Sequence, residues 1–230
     1  MAAPNCFFVY TDPMKSTFPQ NICYLCGVVL TKEQYTRDHV FPDCLFPHPY
    51  AGPELITLPC CQRCQKEYKH DEEYFRNNIA ILSDRDNPVV LKIWEKALSC
   101  FRKSPSLHRD ILKRVKTVDL RSEGGIYLGK APAVEIPRVR MNKVLSKITY
   151  GLFCYHTGKR PPDTHKIVVY FEPKDIFREH FQAASVRGYF ENVCSYMGVF
   201  AENLNSIWWL SFYKSKVAVA ICYDERLLES

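Results

Sequence analysis

The 230-residue chain has no apolar run of the eighteen or so residues a helix needs to cross a bilayer. Its opening stretch, MAAPNCFFVYTDPMK, has neither a basic segment nor a continuous apolar stretch ahead of a cleavage site. Membrane insertion and secretion are therefore not expected, and the expected location is the cytoplasm. Glycine is scarce at 9 residues, and neither a low-complexity tract nor an internal repeat occurs, which excludes collagen-like and solenoid architectures. What is present is ordinary for a folded protein: hydrophobic residues make up 47% and charged residues 24%. The length suits one compact core, or a small module joined to a second one.

Cysteine is the residue in excess. Eleven are present, an odd number that cannot all pair within one molecule, and seven of them (Cys6, Cys23, Cys26, Cys44, Cys60, Cys61 and Cys64) lie in the first 64 residues. In a reducing compartment such clustering points to metal. Cys100, Cys154, Cys194 and Cys222 stand singly and are expected to be small buried hydrophobes. Cys23 and Cys26, followed by Gly27, have the two-residue spacing that lets two thiolates turn back onto one zinc, and Cys61 and Cys64 supply a matching pair. Four thiolates close a tetrahedral structural site. Cys60 is an alternative to Cys61, although only Cys61 keeps the two-residue spacing.

Charge is unevenly placed. Residues 81–160 hold 17 Lys and Arg against 7 Asp and Glu, a net +10, while the segments on either side are each slightly acidic. Such a stretch suits a polyanion, because each neutralised phosphate releases a condensed counterion. A solvated helix face is the alternative.

Prolines 4, 13 and 19 break any periodicity over residues 1–22, which read as an arm. Five prolines over residues 41–59 forbid a long helix there. After Cys64 a run free of Pro and Gly places Tyr68, Phe75, Ile79 and Leu82 at near-helical spacing. Asn87-Pro88 reads as a helix start, with Val90, Ile93, Trp94, Ala97, Leu98 and Phe101 on one face. A further helix is expected from Ser104-Pro105, with Leu107, Ile111, Leu112 and Val115 inward and Arg109, Lys113, Arg114 and Lys116 outward. Glu123-Gly124-Gly125 marks a hairpin turn, and residues 141–155 read as a helix. Residues 166–171, 207–213 and 217–223 read as strands of an α+β module with three or four strands and one or two helices.

Between the two cysteine pairs lies Asp38-His39-Val40-Phe41-Pro42. An Asp-His pair followed by two apolar residues and proline, set between two CxxC knuckles and ahead of a Cys-led helix, resembles the HNH endonucleases of the ββα-metal class. The resemblance covers residues 23–76, and the tail CQRCQKEYKHDEEYFR resembles the variant found in uncharacterised bacterial HNH proteins. It implies a zinc-stapled ββα-metal domain (23–83), and with the patterns read along the rest of the chain the expected α+β protein has an arm (1–22), that domain, a basic helical and hairpin segment (84–149) and a C-terminal α+β domain (150–230).

The function this implies is metal-dependent hydrolysis of nucleic acid, DNA above all, leaving 5′-phosphate and 3′-hydroxyl ends. By the resemblance His39 is the general base, Asp38 a ligand of a catalytic Mg²⁺ or Mn²⁺, and Gln65 the other ligand, at a place where the family has Asn or His. The nearest match to the family's middle Asn is Glu54. An imidazole titrating near pH 6.5 suits the base, and an amide oxygen can bind a hard cation. Arg109, Lys113 and Arg114 are the expected phosphate contacts. Lys69 either meets a phosphate or faces solvent, and Asp71, Glu72 and Glu73 are expected to pair with Lys and Arg on neighbouring turns such as Arg76. His48 reads as a loop residue. Trp208, Trp209, Phe212 and Tyr213 stack on bases or, in alternating strand positions, form core. Two rivals stand beside the nuclease: a non-catalytic zinc-stabilised DNA-binding or adaptor protein, and a bacterial defence or toxin effector gated by its C-terminal domain, which would also receive a protein partner or a second copy.

Overall fold

The computed structural model describes residues 16–103, 109, 112–173, 181 and 183–228. Most of the expected arm, Cys6 included, lies outside them. Within them Phe18 is already buried in the core.

Strands β1 (Tyr35–His39) and β2 (Thr57–Cys61) pair antiparallel, with Asp38 opposite Leu58 and His39 opposite Thr57. The proline-rich connection contains one short 3₁₀ turn, Asp43–Leu45. Helix α1 (Gln62–Leu82) starts where β2 ends, with Cys61 as its N-cap, and buries Phe75 and Ile79. Helix α2 (Pro88–Lys103) starts at the expected cap: the Asn87 side-chain oxygen accepts the Val89 N–H at 2.9 Å, and Val90, Ile93 and Ala97 are buried.

Strands β3 (Val115–Arg121) and β4 (Tyr127–Val134) form a separate ribbon around the expected Gly-Gly turn, and β3 is exposed along its whole length. This corrects part of the reading of the segment before it, in which the described Arg109 and Leu112 are helical as expected. Residues 104–108, 110 and 111 lie outside the described residues, Leu112 is 56% exposed, and Val115 belongs to a strand paired with Val134. The β-branched Val115, Thr117 and Val118 favour an extended backbone over a last helical turn.

Helix α3 (Arg138–Thr157) buries Val144, Leu145, Ile148, Leu152 and Phe153, and ends at Gly158, whose φ of 68° is the left-handed C-cap glycine tolerates. A five-stranded antiparallel sheet follows: β5 (His165–Phe171), β6 (Val186–Phe190), β7 (Cys194–Phe200), β8 (Ser206–Phe212) and β9 (Lys216–Asp224), in the spatial order β5-β9-β8-β7-β6. The sheet has two strands, β6 and β7, beyond those read from the sequence as distinct runs. Each carries a glycine that lets a ring approach closely: a Cβ on Gly188 would sit 2.2 Å from Tyr196, and one on Gly198 would sit 2.6 Å from Trp208.

Helix α3 lies against α1 on one side and against β5 and β9 on the other. The boundary expected between residues 149 and 150 therefore falls inside this helix. From the N-terminal hairpin, Phe41 reaches the sheet, with ring centroids 5.6 Å from Phe190, 5.8 Å from Tyr196 and 6.4 Å from Phe212. One buried cluster runs from Phe18 to Cys222.

Candidate functional site

The two cysteine pairs meet. The sulfurs of Cys23, Cys26, Cys61 and Cys64 all lie within 4.8 Å of one another, with Cys26 and Cys61 3.8 Å apart. A tetrahedron with zinc–sulfur bonds of about 2.3 Å has edges of about 3.8 Å, so the donor set fits a structural zinc. Local backbone explains the convergence. Gly27, at φ 76°, turns the first pair back and donates its N–H to the Cys23 carbonyl at 2.8 Å. The second pair opens α1, where the Cys64 N–H reaches the Cys61 sulfur at 3.4 Å and the Cys61 N–H reaches the Cys23 sulfur at 3.3 Å. The helix N-terminus favours thiolate there. Cys60 is not one of the four, although the Cys23 thiol donates to its sulfur over 3.9 Å. The choice left open between Cys60 and Cys61 thus falls to Cys61.

His39 ends β1 and is half-buried, while Asp38 beside it is 5% exposed. Asp38 Oδ2 accepts the Tyr24 hydroxyl at 2.6 Å and pairs with Lys147 Nζ at 2.7 Å. Lys147, whose side chain is 1% exposed, comes from α3, pairs with Glu72 of α1 and donates to the His39 carbonyl at 3.3 Å. Burial opposes the charge on Lys147, but Asp38 and Glu72 outweigh it and hold the ammonium above its ordinary pKa. Burial also pushes the Glu72 carboxyl up against the pull of Lys147.

Gln65, on the first turn of α1, donates its side-chain amide to the Arg37 carbonyl at 3.3 Å, which places it alongside the middle of β1, two residues before His39. Glu54 is exposed and lies 3.9 Å from Arg37, away from the buried cluster. Lys69 is exposed on α1, and His48 faces Asp43 at 3.2 Å in the loop.

The acidic run on α1 pairs differently from the expectation. Asp71 meets Arg140 at 2.6 Å and Lys143 at 3.1 Å, Glu67 meets Lys143 at 3.3 Å, and Glu72 meets Lys147. These partners of Glu67, Asp71 and Glu72 lie across the helix interface on α3, while Arg76 is buried and donates to Asn77. Of the expected phosphate contacts, Arg109 and Lys113 are exposed, whereas Arg114 lies against α1 and donates to the Tyr74 hydroxyl at 3.0 Å. Trp208, Phe212 and Tyr213 are core, and Trp209 points to the opposite face of the sheet, edge-on to Phe181.

The pair assigned to a catalytic Mg²⁺ or Mn²⁺ by the resemblance does not fit that ion as placed. An octahedral cation needs an accessible carboxylate and room for its waters. Asp38 is buried, and its Oδ2 already holds an ammonium and a phenol. Sequence reasoning missed Lys147 and Tyr24. The one signal for Lys147 was the basic spacing Arg140, Lys143, Lys147 on α3, which matches the acidic spacing Glu67, Asp71 on α1. No family model, curated protein or solved structure matches the chain.

Proposed function

We propose that the chain hydrolyses phosphodiester bonds of nucleic acid, DNA above all, with His39 as the general base. The observation that carries this reading is the ordering of His39: it ends the first of two antiparallel strands, the second strand runs directly into a helix, and the four-cysteine cluster ties the start of that helix to the segment ahead of the first strand. This is the arrangement the resemblance calls for. It puts an imidazole at a half-buried position at the end of β1, where a water could be deprotonated next to a phosphate. Mg²⁺ or Mn²⁺ in the resemblance supplies charge for the leaving oxygen. Because Asp38 is committed to Lys147, no step is assigned through that ion.

The closure of Asp38 favours a second reading, in which the zinc-bound fold binds DNA without cutting it. Supercoiled plasmid, single-stranded DNA and RNA, each incubated with the purified protein with and without Mg²⁺ or Mn²⁺, separate the two. Nicked or linear product supports hydrolysis, whereas retarded but intact plasmid supports binding alone.

A further inference from the structure

Three oxygens surround one ammonium where β1, α1 and α3 meet. Lys147 Nζ faces Asp38 Oδ2 at 2.7 Å, Glu72 Oε1, and the His39 carbonyl oxygen at 3.3 Å. Two are hydrogen-bonded to the ammonium and the third, Asp38 Oδ2, forms an ion pair with it. The lysine is 1% exposed and Asp38 7% in their side chains, so neither charge has water as an alternative partner. Tyr68 covers the same ammonium with its ring, 5.6 Å away. Tyr24 completes Asp38 from the zinc-knuckle side.

We propose that Lys147 is the positioning residue of the His39 site, and that Asp38 serves as its anchor and not as the ligand of a divalent ion. The proposal rests on the hydrolytic reading above. Two arguments carry it. His39 is the last residue of β1, held beyond it by the Val40 N–H on the Ile56 carbonyl at 2.9 Å, so the contact of Lys147 with the His39 carbonyl adds a second restraint near the end of the ladder. A divalent ion on Asp38 would also have to sit against the Lys147 ammonium in a place with almost no solvent, where like charges repel strongly. Since Lys147 comes from α3, the geometry of His39 is set from outside the ββα unit. Lys147 does not touch the substrate in this arrangement. It acts by holding the backbone that carries the imidazole.

The test uses the full chain with its zinc content verified, in the wild type, Lys147→Met, Asp38→Asn and the double variant, which removes both buried charges together. Plasmid nicking at varied DNA and Mn²⁺ concentrations gives kcat, KM and the Mn²⁺ half-saturation. The His39 imidazole signal, identified by its loss in His39→Ala, is followed by NMR with and without Mn²⁺. Misplacing the base is expected to lower kcat by up to about 10²-fold in Lys147→Met, with KM for DNA changed by less than about twofold. Asp38→Asn should leave the Mn²⁺ half-saturation unchanged. The double variant should regain thermal stability but not kcat, and the His39 signal should shift in all three variants.

A rise of about tenfold or more in Mn²⁺ half-saturation in Asp38→Asn would overturn the proposal, because it is the mark of a lost ligand. So would Mn²⁺ broadening of the His39 signal that Asp38→Asn abolishes, or a wild-type kcat in folded Lys147→Met. If the wild type cuts nothing under any condition, the hydrolytic reading fails by itself. The His39 signal then decides: a shift in the folded double variant, with Mn²⁺ broadening unaltered by Asp38→Asn, supports the positioning role, and an unmoved signal overturns it.

Discussion

The Tyr213 hydroxyl donates to the Leu45 carbonyl at 2.9 Å, joining the end of the C-terminal sheet to the 3₁₀ turn inside the N-terminal hairpin. Around this bond Phe41, Leu45, Phe46 and Phe75 are buried against Phe190, Tyr196 and Phe212. The hairpin that carries the cysteine cluster thus uses the sheet as the other half of its core. A chain truncated after Ser83 would expose these side chains, each contributing about 2–3 kcal/mol on burial. Such a fragment is expected to bind zinc without folding to a unique state. Well-dispersed amide NMR signals from it would contradict this.

One zinc per chain is expected on Cys23, Cys26, Cys61 and Cys64. Cys26→Ser should lower the zinc content and the melting temperature sharply, since structural zinc contributes on the order of 10 kcal/mol in small zinc domains. Cys60→Ala is the informative control. Cys60 stands outside the group of four mutually close sulfurs, so this variant should keep its zinc. Elemental analysis of the two variants checks the assignment, and loss of zinc in Cys60→Ala would refute it.

His39 is half-buried, so His39→Ala should leave the fold and DNA affinity largely intact while removing cleavage, because a general base acts on the transition state. Gln65→Asn and Gln65→Ala test the neighbouring amide. If the Gln65 oxygen serves the reaction, the Asn variant keeps activity and the Ala variant loses it; equal rates in all three proteins would remove Gln65 from the site.

Burial pulls the His156 imidazole down to about 4 from the ordinary 6.5, and its ring stands 2.9 Å from the Tyr196 hydroxyl. The unfolded chain takes up this proton near pH 6.5 and the folded one only near pH 4, so in between the unfolded state binds more protons. The stabilisation is complete above pH 6.5 and is lost as the pH falls toward 4, amounting to about 3 kcal/mol at the lower end. Urea unfolding at a series of pH values should show this slope in the wild type and a flatter one in His156→Gln. Identical slopes would exclude His156 as the source.

Arg109 and Lys113 are exposed, whereas Arg114 donates to Tyr74 and lies over its ring at 5.9 Å. Reversing Arg109 and Lys113 to Glu should lower the salt dependence of DNA binding by about 0.9 log unit per lost phosphate contact. Arg114→Glu should instead destabilise the fold by about 1–2 kcal/mol. Unchanged binding in the Arg109/Lys113 double variant across a salt series would place the nucleic acid elsewhere.

Local signals in the sequence carried much of this architecture. The CxxC spacings, the Asn87-Pro88 cap and the long Pro- and Gly-free run of α1 each act within a few residues, and each is found in the structure. Strands β6 and β7 were hidden because Gly188 and Gly198 interrupt their apolar alternation, and the reason for those glycines lies in Tyr196 and Trp208 on neighbouring strands. The ion cluster was hidden for a similar reason. Nothing near Asp38 or Glu72 in the sequence announces Lys147, which reaches them only once α3 has packed on α1. That contact is tertiary, and a pattern read along one strand or one helix does not contain it.

The β3–β4 ribbon has a different consequence. Its two strands make their contacts chiefly with each other, and the turn between them holds Gly124 and Gly125 with open space around the Gly125 Cβ position. Insertions at such a tip disturb no buried packing. Among the described residues the ribbon is therefore a part free to lengthen, shorten or exchange over evolutionary time. It is also the natural place to graft a tag or to relocate the chain ends without disturbing the zinc cluster or the His39 site.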